Sequence, residues 1–270
     1  MTGRVATAAA GAPLLAGGWI VLWTAESYWN PLAFTALWTG AALLFWTGAG
    51  CYLGVVRHAG LAAVSIPFWW YFELVNARID NWEYVDAERY GPVAYVLLAS
   101  VAFATVVPAV TAAASLVDRL APGRERDVSG TASRALPVGL IAAGLAAEAG
   151  VLIVPGILFP LVWVAPFLML DGAVVALGGR SLSVALVRGP RRRALVIAAA
   201  GLLCGLLWEF WNFWAYPGWR YHVPGVGWAK VFEMPILGYG GYVPFAWSLS
   251  QGVALLALLG RRWGPRIGRG

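Results

Sequence analysis

Two glutamates, Glu73 and Glu209, sit inside long apolar runs, and each is followed three residues later by an asparagine, Asn76 and Asn212. Residues three apart share one face of a helix, so each carboxyl group has an amide about one turn away that can orient it. Glu148 and Asp171 are two further acids in apolar surroundings. An ionisable side chain in hydrocarbon is costly and points to a functional site. Its natural work there is Brønsted acid–base chemistry, because an acid that keeps its proton in dry surroundings can deliver it to an alkene or epoxide of a lipid. Trp69, Trp70, Trp208 and Trp211 flank the paired glutamates, and the negative faces of indole rings stabilise a carbocation. A structural role competes with this reading. The Glu–Asn pairs could form interhelical hydrogen bonds, worth about 0.6 kcal/mol on average in membranes, and the indoles could fill the core.

Other chemistries lack their residues. The chain has no P-loop, no G-x-S-x-G nucleophile elbow, no H-E-x-x-H, no C-x-x-C, and no aspartate-rich cluster to hold magnesium on a diphosphate. His58 and His222 are too few and too far apart for a histidine-based metal site. Cys51 and Cys204 lie in or at the end of apolar runs and read as small buried hydrophobes. No metal or other cofactor is expected. The string Trp208-Glu209-Phe210 resembles the W-E-F element of the integral-membrane terpene cyclases of fungal meroterpenoid pathways. That group is similar in its multi-helix, acid-bearing plan to the membrane-bound lycopene cyclases. The resemblance implies Glu209 as an acid catalyst. The family's second acid, an aspartate further along, has no matching position in this chain. The segment from Phe232 to Tyr242 resembles one found in uncharacterised bacterial membrane proteins, which implies no activity.

The elements that hold these residues follow from composition. Of 270 residues, 60% are hydrophobic and 12% charged, and 16 are tryptophan, whereas a soluble domain carries about 25% charged residues. Such a chain is an all-α, polytopic membrane protein, not a soluble enzyme or a nucleic-acid binder. A crossing helix takes roughly 20 apolar residues, and eight stretches come close: 12–25, 32–50, 60–77, 93–117, 135–154, 156–177, 194–214 and 242–260. The first reads as a retained anchor, because Trp19 and Trp23 stand where a signal-peptide cleavage site would fall. Val154-Pro155-Gly156 breaks the apolar run from 135 to 177 into a hairpin. Fifteen of the nineteen basic residues fall in loops on one side of this topology, which puts both termini in the cytoplasm of a cell-membrane protein.

The chain also repeats itself. Glu73-x-x-Asn76 is followed by Trp82-Glu83-Tyr84, and Glu209-x-x-Asn212 by Trp219-Arg220-Tyr221. Phe34 and Trp38 match Phe159 and Trp163 at an offset of 125, which grows to 136 for the Glu–Asn pairs across an Arg-rich insertion near 180–193. Residues 1–117 and 135–270 therefore read as two tandem four-helix repeats around a cytoplasmic linker, 118–134. At about 1.5 Å per residue, Glu73, Glu148 and Glu209 stand at one height, about 20 Å from the inner face, and are expected to share a pocket opening outward. Asp171, on a descending helix, lies nearer the cytoplasm. Trp29, Trp82, Trp219 and Trp228 fall at the outer interface, where such residues anchor a protein to the membrane. The aromatic, glycine-rich segment 215–241 is expected to fold back as a lid, with Glu233 as one more acid and Trp82 and Trp219 beside the pocket.

Three functions fit these residues. The first is an enzyme that cyclises, hydrates or isomerises an isoprenoid or similar lipid, with Glu209 as acid, Glu73 as partner or base, and Asn76 and Asn212 orienting them. The second is a transporter or lipid carrier using acids at two heights, such as Glu209 and Asp171. The third is a non-catalytic scaffold. The expected partners are the membrane and a lipid or isoprenoid molecule, with no nucleic acid.

Overall fold

The computed structural model describes residues 2–51, 54–121, 123, 135–225 and 227–263. The elements run α1 (Thr2–Thr24), α2 (Asn30–Gly48), α3 (Val55–Ile79), β1 (Trp82–Tyr84), α4 (Pro92–Phe103), α5 (Val106–Leu120), α6 (Ala135–Ile153), α7 (Pro155–Leu158), α8 (Leu161–Ala176), α9 (Leu182–Arg188), α10 (Arg192–Asn212), β2 (Trp219–Tyr221), β3 (Lys230–Val231), β4 (Met234–Pro235) and α11 (Tyr242–Trp263). Among the described residues six helical stretches are long and apolar enough to cross a bilayer: Thr7–Thr24, Asn30–Gly48, Pro92–Leu120, Ala135–Ile153, Arg192–Asn212 and Ile236–Arg261. The other two expected spans are helical but fall short in different ways. Helix α8, at 16 residues, is brief. Helix α3 has 25 residues but carries Arg57, His58, Glu73, Asn76 and Arg78. Most of the expected linker 118–134 lies outside the described residues, and its first residues complete α5.

The prolines place the helix boundaries. Pro31, Pro92 and Pro155 stand in first turns, where a missing N–H costs nothing. Pro108 cannot donate to Ala104, and the helix breaks there between α4 and α5. Ser65 of α3 pins that break, its hydroxyl donating to the Phe103 carbonyl and accepting from Val107 N at 2.9 Å. Cys204 is buried as expected, but Cys51 is exposed, because it follows the last turn of α2 in a surface loop.

The two halves pack alike. Helix α1 lies against α2 and α6 against α8, and small residues set both distances. A Cβ on Gly40 would stand 2.4 Å from Leu15 N, and one on Gly144 2.6 Å from the Met169 side chain. Each half then reaches into the other with a tryptophan. Trp38 of α2 meets Trp208 of α10 at a centroid distance of 4.9 Å, and Trp163 of α8 stacks on Phe72 of α3 at 5.1 Å. Trp38, Phe72 and Phe245 are almost fully buried at this centre.

Candidate functional site

Helices α3 and α10 end in the same device. At the end of α3, Asp80 takes a left-handed conformation (φ 52°) and the chain turns back into β1. The Asn76 carboxamide holds that turn: Nδ2 donates to the Trp82 carbonyl at 2.7 Å, and Oδ1 accepts from Asn81 N at 2.9 Å and Trp82 N at 3.3 Å. At the end of α10, Asn212 Nδ2 donates to the Trp219 carbonyl at 2.7 Å, and Oδ1 accepts from Trp219 N at 2.8 Å. The asparagines thus fasten each W-x-Y strand to its helix instead of orienting the glutamates.

The strands then pair with each other. β1 and β2 run antiparallel with Trp82 opposite Tyr221, Glu83 opposite Arg220 and Tyr84 opposite Trp219. Corresponding residues of the two halves thereby exchange partners across one seam, as across a twofold axis. Side chains alternate along a strand, so Trp82, Tyr84, Trp219 and Tyr221 face the bundle while Glu83 and Arg220 face out.

That register brings a phenol to each buried acid. Tyr84 donates to Glu73 Oε1 at 2.7 Å, and Tyr221 donates to Glu209 Oε1 at 2.7 Å. Glu73 Oε1 also accepts from Trp69 Nε1 at 2.8 Å and Trp82 Nε1 at 3.2 Å. Glu209 Oε1 accepts instead from Tyr242 of α11 at 2.6 Å, while Trp219 Nε1 donates to the Tyr221 hydroxyl at 2.8 Å. Glu209 is fully buried, and its Oε2 has no hydrogen-bond partner among the described residues. Burial first, and the adjacent glutamate second, hold the Tyr84 and Tyr221 phenols well above their ordinary values, so both remain donors.

A cavity of about 170 Å³ lies between these modules. Trp82, Trp163, Trp208, Trp219, Phe103 and Phe245 form much of its wall, and Tyr84, Tyr221 and Tyr242 line it. The glutamates stand behind those three tyrosines, one hydrogen bond back from the cavity. Part of segment 215–241 lines it, through Pro217, Gly218, Met234, Gly238 and Gly241. Trp29 and Trp228 are exposed, as anchors are, whereas Trp82 is buried in the wall.

Several expected site residues lie elsewhere. Glu148 Oε2 accepts from Tyr71 at 2.7 Å, a hydrogen bond joining α6 to α3 away from the Glu73 and Glu209 groups. Asp171 caps α9: it accepts from Ser181 Oγ at 2.7 Å, Leu182 N at 2.8 Å, Ser183 N at 3.1 Å and the Gln251 amide. Free N–H groups at a helix start are what a buried carboxylate satisfies. Trp70 donates to Ser100 at 2.9 Å, and Trp211 packs on Trp38 at 4.9 Å; neither lines the cavity. Glu233 stands 3.8 Å from Lys230 on the β3–β4 turn. Among the described residues no group of three His, Cys, Asp or Glu side chains could hold a metal ion. Tyr84, Tyr221, Tyr242 and Trp163 were not singled out as site residues. The first two were visible as the last letter of the repeated W-x-Y, whereas nothing local marks Tyr242.

The bundle and its six bilayer-length apolar helices define a helical membrane protein. No protein-family model, curated protein or solved structure matches the chain.

Proposed function

We propose that this protein is a multi-pass cell-membrane enzyme that transforms an isoprenoid or similar apolar lipid by proton-initiated cyclisation, hydration or isomerisation. One observation carries the reading: two carboxyl–tyrosine pairs flank one aromatic-walled cavity, held there by a single strand pairing. Glu209 is the acid and Tyr242 or Tyr221 its contact with the cavity. In the simplest cycle a phenol O–H bond breaks as its proton forms a C–H bond on an alkene carbon, and Glu209 reprotonates the phenol. The cation at the neighbouring carbon is steadied by Trp82, Trp163 and Trp208; a second π bond closes on it, or water adds, or neither does, and in each case the surplus proton is finally lost to the Glu73–Tyr84 pair. The resemblance of Trp208-Glu209-Phe210 to the membrane terpene cyclases supports the same acid.

In this reading the chain is two tandem four-helix repeats, 1–117 and 135–270, with eight spans and both termini cytoplasmic. The matching asparagine caps, phenol–glutamate bonds and reciprocal tryptophan contacts support the duplication, and the loop charges support the orientation. Segment 215–241 is the outer lid.

The test compares lipid extracts by mass spectrometry from cells making the wild-type protein and Glu209→Gln at equal expression. A product present with the wild type and missing with the variant is expected; identical extracts refute the acid role. A second reading, a lipid carrier without chemistry, draws on the placement of both glutamates behind tyrosines and not on the cavity wall. Transfer of a lipid between vesicles, equal for wild type and Glu209→Gln, is its signature. Asp171, spent on capping α9, offers no second proton site for coupled transport.

A further inference from the structure

The two glutamates behind the cavity wall lack a counter-ion. The titratable groups facing Glu73 are the phenols of Tyr84 and Tyr95, and those facing Glu209 are Tyr221, Tyr239, Tyr242 and Glu233. None of them is basic, and Glu233 has its own partner in Lys230 at 3.8 Å. The side-chain hydrogen bonds to both carboxyl groups come from phenols and indoles alone among the described residues. An acid at membrane depth is normally paired with a charge of opposite sign, on the protein or on a ligand, because an unpaired buried charge is costly. Here the protein supplies none among the described residues.

The space in front of the glutamates is lined by rings. Trp69, Trp163, Trp219, Tyr84, Tyr221 and Tyr242 border the cavity and are each only partly buried, so they keep surface that a ligand can touch. Among the described residues no Lys, Arg, His, Asp or Glu lines it. Aromatic faces attract a cation within about 6 Å. One phenol–carboxyl hydrogen bond of 2.7 Å separates the wall from each acid, a gap across which opposite charges still attract strongly away from water. An anion would be repelled, and a hydrocarbon would leave the acids without a counter-charge. A primary ammonium would bury three N–H donors on a wall whose Tyr84, Tyr221 and Tyr242 hydroxyls are spent on the glutamates. A quaternary ammonium has no N–H and presents only methyl and methylene groups. We propose that the cavity binds an organic cation of this class, a quaternary ammonium with an apolar body, with Glu73 and Glu209 as its counter-charges. Where a glutamate held its proton, that proton passes to water as the cation enters. The site goes beyond the catalytic reading and does not require it.

Equilibrium dialysis of the purified full-length protein in detergent, against the same detergent alone, tests this with two probes of one shape. Benzyltrimethylammonium is the cation, and neopentylbenzene, with carbon in place of nitrogen, is its neutral isostere. The wild type binds the cation about tenfold more tightly than the isostere, a factor within reach of ring faces and a buried counter-charge. Glu73→Gln and Glu209→Gln each lower affinity for the cation about tenfold and leave that for the isostere unchanged. The wild-type comparison needs no variant, so it decides the matter if a substitution prevents folding. Equal affinities in the wild type, no binding of the cation, or a cation affinity unchanged in both folded Gln variants overturns the proposal. The two proposals fail separately. Selective cation binding with identical lipid extracts from wild type and Glu209→Gln sinks the acid role alone. A product lost in Glu209→Gln without cation preference sinks the cation site alone.

Discussion

Glu73 and Glu209 hold corresponding places, yet their second donors come from opposite directions. Trp69 reaches Glu73 from one turn earlier on the same helix. The corresponding residue before Glu209 is Gly205, and the Tyr242 ring of α11 occupies the space an indole would need: a Cβ on Gly205 would lie 2.2 Å from that ring. One acid is thus served by its own helix, the other by a different helix. The phenol of the paired strand is common to both. The exchange makes Glu209 a junction between α10, β2 and α11, with one carboxyl oxygen left over, whereas Glu73 belongs to α3 and the strand that follows it.

Under the proposed enzyme reading that asymmetry gives the two acids different work, and the largest predicted effect follows from it. General acid catalysis contributes about 10²- to 10⁴-fold, so Glu209→Gln lowers product formation per molecule by at least about a hundredfold. Glu73→Gln, at the partner group, lowers it about tenfold. Rates measured on purified protein with equal losses would make the modules functionally equivalent and remove the assignment of Glu209 as the acid.

Next in size are the asparagine caps, where the halves are expected to agree. Alanine in place of Asn76 or Asn212 strips the strand of its fastening and strands backbone groups near the interior. Each is expected to cost about 3 kcal/mol, one such group costing about 1–3 kcal/mol. Thermal unfolding in detergent gives the comparison. A large cost at one position and none at the other would mean that the shared motif does different structural work. Gly205→Ala follows at about 2 kcal/mol, the usual scale of overpacking. It also pushes Tyr242 off Glu209 and lowers product formation. Trp69→Phe, which deletes one indole donor, costs about 1 kcal/mol and leaves Tyr242 in place.

How much of this was legible follows from how local each signal is. The helices, the hairpin break at Pro155 and the pairing of E-x-x-N with W-x-Y are short-range patterns; Trp82, Trp208 and Trp219 line one cavity, and Glu73 and Glu209 lie one hydrogen bond behind its wall. The asparagines were misread because spacing by three implies a shared helix face. At a helix end a carboxamide is closer to the free backbone of the returning chain. Glu148 is grouped with Glu73 and Glu209 by height, which fixes depth in the membrane but not direction around the helix, and an apolar run around Asp171 does not tell a helix cap from a proton site. Tyr242 was invisible because its role depends on a glycine 37 positions earlier and on the close approach of α11 to α10 at Gly201.

The smallest effect tests the seam itself. Glu83 and Arg220 occupy corresponding positions and stand directly opposite each other in the β1–β2 pair. With the same charged residue in both strands, like charges would face each other, which destabilises an antiparallel pair. Opposite charges at this one site let two strands of the same W-x-Y pattern pair with each other. Glu83 also lies 3.1 Å from His222, but both side chains are about half exposed, and exposed ion pairs contribute roughly 0–1 kcal/mol. Glu83→Arg is therefore expected to cost about 0.5 kcal/mol in unfolding experiments at low salt, and less at high salt. Combining it with Arg220→Glu should restore the wild-type value, because the swap exchanges the two halves' residues without altering the pair. If the double variant stays as weak as the single one, the strands are not interchangeable at their centre. The resemblance of the modules would then end at the hydrogen bonds of their asparagines and phenols.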